Sequence, residues 1–129
     1  VDDAGSPAAI VFTLSDGGYV LLDYLAVCPQ YRGNGIGTEI LSLLKRRYPG
    51  SNIVLEIEST ASLADKGDLR LRRKAFYERN GFSANGYLVD LLGVDMEIMS
   101  VSPIPFGEYH ALFEPLFGAE FACKVRYIG

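Results

Sequence analysis

The sequence predicts an α/β or α+β fold in which one sheet contains strands of mixed direction. Apolar, β-branched runs alternate along the chain with segments of three- and four-residue apolar spacing, and glycine or proline separates most of them. The chain of 129 residues is 49% apolar and 22% charged, a composition typical of globular proteins. This length fits one domain over residues 1–129 with a single core. The expected order of elements is β-β-α-β-α-β-(α)-β.

A β-hairpin opens this order. Residues 8–14 (AAIVFTL) are apolar and β-branched enough for a first strand. Residues 15–18 (SDGG) form the turn, because Asp and Gly tolerate the positive φ that tight hairpin turns need. Tyr19–Val27 returns as a second, antiparallel strand, and it ends before Pro29, which cannot donate a ladder hydrogen bond.

A glycine-rich turn joins this strand to a helix. Residues 30–37 (QYRGNGIG) hold three glycines, yet a helical apolar pattern follows at once. That pattern comprises Ile36, Ile40, Leu41, Leu44 and Tyr48. Pro49 and Gly50 end the helix, and residues 52–59 (NIVLEIES) form a third strand.

The rest of the chain continues the alternation, but its pattern weakens toward the end. The predicted elements are a loop at 60–68, a helix at 69–80 capped by Gly81, a strand within 87–101 with a bulge at Gly93, a break at 103–105, a short helix at 107–117 and a last strand at 121–127.

Charge and composition exclude several classes of partner. The net charge of −4 argues against a nucleic-acid partner, whose phosphates need a basic surface. No apolar run approaches the ~20 residues of a membrane-spanning helix, and the first residues lack the basic and apolar segments of a signal peptide. Cys28 and Cys123 do not make a disulfide framework, so we expect reduced thiols and a cytoplasmic location. We expect no metal site.

The turn at residues 32–38 has the chemistry of a phosphate-binding site. A helix N-terminus offers unpaired amide groups and about half a positive charge, and glycines let the backbone approach a phosphate closely. Arg32 adds a cation and Thr38 a hydroxyl, so the expected ligand is a pyrophosphate. The glycines are spaced two apart, which excludes the dinucleotide pattern G-x-G-x-x-G, and the Walker pattern is missing too. For the turn alone, a plain helix cap is the alternative.

Two blocks of sequence resemble one known family. Residues 25–38 (LAVCPQYRGNGIGT) closely resemble the coenzyme A signature of the GNAT superfamily of N-acetyltransferases. Gln30, Gly33 and Gly35 match its core pattern, Gln/Arg-x-x-Gly-x-Gly/Ala. Residues 73–82 (RKAFYERNGF) resemble the family's later helix, which often ends Tyr-x-x-x-Gly-Phe. Two blocks in the right order are far more specific than either block alone.

The resemblance implies a more detailed fold and a ligand. Its sheet is mixed but mostly antiparallel, with flanking helices and with two parallel central strands, Tyr19–Val27 and 52–59, that splay apart. Acetyl-CoA, the cosubstrate, lies in this cleft, where its pantetheine arm pairs with the first of these strands. The amide of Val27 would point at the thioester carbonyl as an oxyanion donor. The implied coenzyme-binding residues are Leu25, Ala26, Val27, Arg32, Gly33, Asn34, Gly35, Ile36, Gly37 and Thr38.

The resemblance also implies residues for direct acetyl transfer to an amine. Tyr77 occupies the family's tyrosine position and would protonate the leaving thiolate, although a tyrosine that merely packs in the core is the alternative. Glu56 is the first candidate base, because it lies mid-strand among apolar neighbours, where a carboxylate is costly to bury without a partner. Glu58 and Asp23 are the other candidates. A solvent-facing carboxylate is the alternative interpretation of Glu56.

The acceptor side departs from the family pattern. Relatives begin with two helices and a strand that have no counterpart before the first strand here, so the acceptor side would be open, completed by a partner subunit, or missing from a fragment. We expect a primary amine of a small molecule as acceptor. The alternatives are a protein N-terminus and a module that binds acyl-CoA without turnover. The apolar residues of the C-terminal third form either a homodimer patch or core, and they are Phe106, Leu112, Phe113 and Phe117.

Overall fold

The computed structural model describes residues 9–33, 35–60 and 68–129, in two compact units that divide between Ile53 and Val54. The strands are β1 (Ala9–Asp16), β2 (Tyr19–Val27), β3 (Asn52–Glu58), β4 (Ser83–Leu91), β5 (Val94–Ser100) and β6 (Val125–Tyr127). The helices are α1 (Ile36–Arg47), α2 (Leu69–Arg79), α3 (Phe106–Ala111), α4 (Phe113–Phe117) and α5 (Ala119–Ala122). A single 3₁₀ turn, Pro29–Tyr31, lies between β2 and α1.

In the first unit, β1 and β2 form the predicted antiparallel hairpin. Its turn is shorter than predicted, since Asp16 already pairs with Tyr19 and only Gly17 and Gly18 lie between them. Gly17 has a φ of +58°, which glycine adopts without steric cost. The start of β3 follows β2 in the strand order, and its Asn52 N–H donates to the Gly18 carbonyl at 2.8 Å.

Helix α1 forms where the three- and four-residue spacing predicts it. Leu41 and Leu44 are buried, and they lie on the apolar face of the helix. Its charges suit the helix dipole, since Glu39 lies in the first turn and Lys45, Arg46 and Arg47 lie in the last. The chain leaves the helix at Tyr48, and Gly50 follows with a φ of +80°.

In the second unit the strands follow the order β3, β5, β4, β6, and each neighbouring pair is antiparallel. β3 buries Val54, Leu55 and Ile57, and the second half of β5 is buried throughout. The β-branched and long apolar side chains of these two strands form the centre of this unit's core.

The prediction of one strand within 87–101 is wrong, because this part of the chain forms a hairpin. β4 and β5 are joined by Leu92 and Gly93, with φ values of +53° and +87°. Asp90 Oδ1 accepts a hydrogen bond from the Gly93 N–H at 2.7 Å and closes the turn. A leucine rarely adopts a positive φ. Because Leu92 lies in an apolar run, no sequence pattern indicated a turn there.

A bulge does interrupt β4, but earlier than Gly93. Three residues, Asn85 to Tyr87, lie opposite the single residue Ile98 of β5, and Gly86 among them has a φ of +80°. The Asn85 amide donates to the Ile98 carbonyl and to Ser100 Oγ, at 3.0 Å each. The Asn85 side chain thus donates to a β5 carbonyl at the point where the bulge interrupts the regular β4–β5 hydrogen bonds.

Side chains of the same bulge also form hydrogen bonds to the segment that follows β5. Asn85 Oδ1 accepts a hydrogen bond from the Ile104 N–H at 3.0 Å, and the Tyr87 hydroxyl donates to the Ile104 carbonyl at 2.7 Å. Ile104 is buried, so two side chains satisfy backbone groups that water cannot reach freely. Helix α3 begins two residues later, at Phe106.

The C-terminal segment differs from its prediction in two places. Residues 107–117 contain most of α3 and all of α4, two short helices instead of one. The strand predicted over 121–127 is wrong in its first half, where α5 ends, and only β6 pairs with β4. Leu112 and Phe113 are buried in the unit's own core, whereas Phe117 is exposed. Half of the suggested dimer patch is therefore core, and the homodimer stays a prediction.

The predicted fold class is confirmed. The protein has a mixed α/β fold with a six-stranded, mostly antiparallel sheet, one parallel strand pair and flanking helices. The splaying of the central strands and the single domain over residues 1–129 stay predictions. Within the three described ranges, no helix is both long enough and apolar enough to cross a membrane.

Candidate active site

The predicted phosphate-binding turn lies at the N-terminus of α1, in the first unit. After β2 ends at Val27, the chain turns through a 3₁₀ turn, and Arg32 Nε donates back to the Val27 carbonyl at 3.2 Å. Gly33 has a φ of +83°, and Gly35, the N-cap residue of α1, has a φ of +76°. Most other residues would be strained in this backbone, so the turn depends on glycine at both positions.

This turn fits a pyrophosphate. Gly35 has no side chain with which to cap α1, so it does not compete for the amides of the first helical turn. A Cβ added at Gly33 or Gly35 would meet no atom within 4 Å, so the surface is open at both glycines. Arg32 and Thr38 are exposed beside them and add a guanidinium and a hydroxyl. Asn34, also predicted to bind the coenzyme, lies outside the described residues.

The predicted pantetheine strand is the second half of β2. Residues 25–27 are half-buried there. Just before them, the β1–β2 register shifts, and Asp23 is the extra residue between the paired positions Leu22 and Tyr24. Asp23 is exposed, and an exposed carboxylate gains nothing from a low-dielectric environment. The role of Asp23 as a candidate base stays a prediction.

Glu56 lies in the second unit, on β3, and it is half-buried. Its Oε1 accepts a hydrogen bond from the hydroxyl of Tyr109, on α3, at 2.8 Å. Burial, then the negative charge of Glu56 and the hydrogen bond to it, raise the pKa of the Tyr109 phenol far above its ordinary value. Tyr109 therefore stays protonated and donates. Glu56 is not a simple solvent-facing carboxylate, whereas Glu58 is exposed and lies 3.8 Å from the Arg70 guanidinium.

Tyr77 lies at the end of α2, in the motif that resembles Tyr-x-x-x-Gly-Phe. The Gly81 N–H donates to the Glu78 carbonyl at 3.2 Å, and the Phe82 N–H donates to the Tyr77 carbonyl at 3.1 Å. The Tyr77 and Phe82 rings meet edge to face, with centroids 5.7 Å apart. These two bonds and this contact form a Schellman motif with Gly81 at its left-handed position, φ +86°. The sequence motif therefore has a structural role, which is to end helix α2.

The Tyr77 phenol also has a property that proton donation requires. The residue is buried, at 8% exposure. Burial raises the pKa of the phenol, and the positive charge of Arg73 lowers it by less. The phenol is therefore protonated at neutral pH, the state that a general acid needs.

A partly buried ion pair that the sequence did not predict joins α2 to β5 in the second unit. Lys74 Nζ lies 2.7 Å from Glu97 Oε1, and the Thr60 N–H and hydroxyl donate to Glu97 Oε2 at 2.7 and 2.6 Å. Burial alone would raise the pKa of the Glu97 carboxyl, but the hydrogen bonds from Lys74 and Thr60 hold it below its ordinary value. The network joins β5 and the chain after β3 to the helix that carries Tyr77.

The structure thus places the predicted donor-side residues in the first unit and the predicted acid and first base, Tyr77 and Glu56, in the second. Sequence reasoning missed Tyr109, the partner of Glu56. The two residues are 53 positions apart, and the segment around Tyr109 has only a weak pattern. No spacing signal joins them, because only the tertiary fold brings α3 and β3 within hydrogen-bond distance.

Comparison with known proteins agrees with this fold. A sequence model of the acetyltransferase (GNAT) domain matches residues 1–84. A protein from Bacteroides thetaiotaomicron, described as an acetyltransferase of the GNAT family, superposes with a TM-score of 0.70 at 22% identity, over 92% of this chain and 71% of its own. No curated protein sequence gives a significant match.

Two further solved structures have the same fold. An aminoglycoside 6′-N-acetyltransferase complexed with coenzyme A gives a TM-score of 0.58 at 21% identity, over 81% of this chain and 72% of its own. The ribosomal-protein-S18-alanine N-acetyltransferase from Escherichia coli gives 0.53 at 23% identity, over 81% and 68%. At such identities the likeness shows the fold, whereas the family model covers well over half of the chain. The expectation of an acyltransferase that uses acetyl-CoA is confirmed at the level of the family: the chain belongs to the GNAT acetyltransferases.

Proposed function

We propose that this protein transfers an acetyl group from acetyl-CoA to the primary amine of a small molecule. The observation that carries the proposal is the turn at the start of α1, which combines two left-handed glycines, an uncapped helix start and an exposed arginine. That donor set suits the pyrophosphate of a coenzyme, and the chain belongs to a family of acetyltransferases. Arg32, Thr38 and the backbone amides around them would hold the pyrophosphate, and residues 25–27 would pair with the pantetheine arm.

The reaction needs a base, an oxyanion donor and an acid. In the proposed mechanism, Glu56 takes a proton from the attacking amine, and the nitrogen forms a bond to the acetyl carbon. The amide of Val27 donates to the oxygen of the tetrahedral intermediate. The carbon–sulfur bond then breaks, and Tyr77 protonates the departing thiolate. No covalent enzyme intermediate forms.

The C-terminal segment supports a small acceptor. The fully buried Tyr109 of α3 donates a hydrogen bond to the carboxylate of Glu56 on β3. One side of Glu56 is therefore covered, which favours a slender amine over a folded protein chain. Among the related structures, one protein is named for acetylating an aminoglycoside and another for acetylating a protein alanine, so the acceptor has to be measured for this chain.

Coenzyme binding is tested first, by thermal shift. Acetyl-CoA at 100 times its Kd should stabilise the fold by about 2.7 kcal/mol, and NAD and ATP should not stabilise it. Arg32→Ala should weaken acetyl-CoA binding about tenfold, because a charge-assisted bond to a phosphate contributes about 1.5–3 kcal/mol. Arg46→Ala is the matched control, since Arg46 is exposed like Arg32 but lies in the last turn of α1, away from the proposed phosphate site. An acetyl-CoA shift that is absent, or equal to that with NAD, contradicts the proposal.

Turnover is tested by release of free CoA with three acceptors, namely spermidine, an aminoglycoside and a tripeptide that begins with alanine. The two small amines should be acetylated with a higher kcat/KM than the tripeptide. The reverse order would replace the small acceptor with a protein N-terminus. Binding of acetyl-CoA without turnover of any amine would make the protein a binding module.

A further inference from the structure

We infer that Tyr109 is a positioning residue for the carboxylate of Glu56, and that the C-terminal segment thereby completes the proposed base. The inference rests on the proposed function, since it needs Glu56 to accept the amine proton. It concerns a residue outside the part of the chain that the family model matches, residues 1–84.

The contact between the two side chains is short and protected. The Tyr109 hydroxyl donates to Glu56 Oε1 at 2.8 Å, within the usual range for an O–H···O bond. Tyr109 is 0% exposed and Glu56 is half-buried, so water competes poorly for this bond. A hydrogen bond to an ionised acceptor in such a place contributes more than an exposed one.

The direction of the bond is fixed by chemistry. A carboxylate only accepts, and the Tyr109 phenol stays protonated at all ordinary pH values because of its burial and its neighbour's charge. The bond therefore persists over the pH range in which the enzyme would work. The bond occupies one of the roughly four lone-pair sites that a carboxylate offers.

Tyr109 is itself held rigidly, as a positioning residue must be. Its ring meets Phe113 edge to face at 5.0 Å and Phe106 at 6.4 Å. The start of its helix follows Ile104, whose N–H and carbonyl are both bound by side chains of the β4 bulge. The hydroxyl of Tyr109 thus has little freedom to leave Glu56.

The consequence for the reaction lies in orientation. A glutamate has three rotatable side-chain bonds, and a base must lie within hydrogen-bond reach of the proton that it takes. Fixing Oε1 restricts the position of Oε2. Loss of the bond should therefore lower kcat, because fewer carboxylate conformers suit proton transfer. The KM for acetyl-CoA should not change, because neither Tyr109 nor Glu56 is among the residues proposed to bind the coenzyme.

The experiment is a double-mutant cycle on CoA release with the best amine of the three-acceptor panel. Tyr109→Phe keeps the ring and removes the hydroxyl, and we expect kcat to fall about tenfold with the KM for acetyl-CoA within twofold of wild type. In the Glu56→Gln background, the same change should have less than a twofold further effect, because the two residues act together. Tyr127→Phe, which changes an exposed tyrosine of the same unit, should leave kcat unchanged.

The outcomes separate the inference from the proposed function. An unchanged kcat in Tyr109→Phe, or an equal fall in both backgrounds, overturns the positioning role while leaving the acetyltransferase proposal intact. A wild-type rate in Glu56→Gln overturns the choice of base, and the role of Tyr109 with it. If the wild-type protein binds acetyl-CoA but turns over none of the amines, the proposed reaction itself fails, and Tyr109 then has no base to position.

Discussion

At the scale of a residue, the packing of Tyr77 and the acid role proposed for it depend on different atoms of the side chain. Its ring packs edge to face against Phe76 and Phe82, with centroid distances of 5.2 and 5.7 Å, and its carbonyl accepts the bond that closes α2. Neither role uses the phenol oxygen. Removing that oxygen alone therefore tests the chemistry with little effect on the packing.

Tyr77→Phe should lower kcat by tenfold or more, since general acid catalysis contributes roughly 10²–10⁴-fold in rate. The unfolding free energy should change by less than about 1 kcal/mol, because the ring contacts remain. Because burial raises the pKa of the Tyr77 phenol, the wild-type kcat should show no loss from its ionisation between pH 7 and pH 9. The measurements are steady-state kinetics and urea unfolding, with Tyr48→Phe as the control at a half-buried tyrosine of the first unit. Equal kcat values for wild type and Tyr77→Phe would leave Tyr77 with its packing role only.

At the scale of an element, the end of α2 depends on one glycine. Gly81 adopts a φ of +86°, and the two bonds of the Schellman motif need that conformation. Gly107, in the first turn of α3, has no such requirement, and a Cβ added there would meet no atom within 4 Å. The two glycines form a matched pair for the same substitution.

Gly81→Ala should destabilise the protein by about 1–2 kcal/mol, the cost of a left-handed conformation for a residue with a Cβ. Gly107→Ala should be neutral or stabilise by up to about 1 kcal/mol, because alanine is the better helix former. Chemical denaturation of both variants measures the difference. Equal unfolding free energies would mean that the backbone at residue 81 relaxes out of the Schellman geometry without cost.

Elements defined by local pattern were predicted well. β2 has the predicted bounds, and β3, α1 and α2 each end within a residue of the prediction. The elements that were predicted wrongly depend on contacts between residues distant in sequence or on uncommon backbone conformations. The Asn85–Gly86 pair is a sequence typical of hairpin turns, yet here it forms a bulge inside β4, and the true turn contains Leu92 at positive φ.

The same division applies to the candidate site. Glycine spacing predicts the turn at α1 because the requirement there is local, namely a backbone that only glycine adopts easily. The partner of Glu56 was not predictable, since Tyr109 belongs to a helix whose position depends on the β4 bulge and on the aromatic contacts around Phe113. The ion pair of Lys74 with Glu97 was not predicted for the same reason. It joins α2 to β5, and the sequence did not predict β4 and β5 as separate strands.

At the scale of the whole molecule, stability should depend on pH through Glu97. Its pKa is lower in the folded protein than the ordinary value of 4.5, so the folded state holds its proton less tightly than the unfolded state. This contribution to the unfolding free energy is complete above about pH 4.5 and is lost as pH falls through the folded-state pKa.

Glu97→Gln should therefore lower the unfolding free energy by about 1.5–3 kcal/mol at pH 7, the range for hydrogen bonds to a charged group. The difference from wild type should shrink as pH falls below 4.5. Glu78→Gln, at an exposed position on α2, should have the same unfolding free energy as the wild type at every pH. Urea unfolding at a series of pH values makes the comparison, and a difference that is constant with pH would contradict the role of the Glu97 charge.

The attachment at Ile104 has a consequence for how this protein can evolve. Asn85 and Tyr87 recognise the peptide groups of Ile104, which every residue except proline offers in full, and neither recognises its side chain through these bonds. Another buried apolar residue that keeps its peptide N–H could therefore replace Ile104 while both hydrogen bonds persist. The residues between Ile104 and β6, Tyr109 among them, can therefore change in a lineage that keeps this bulge, while the start of the segment stays attached to β4.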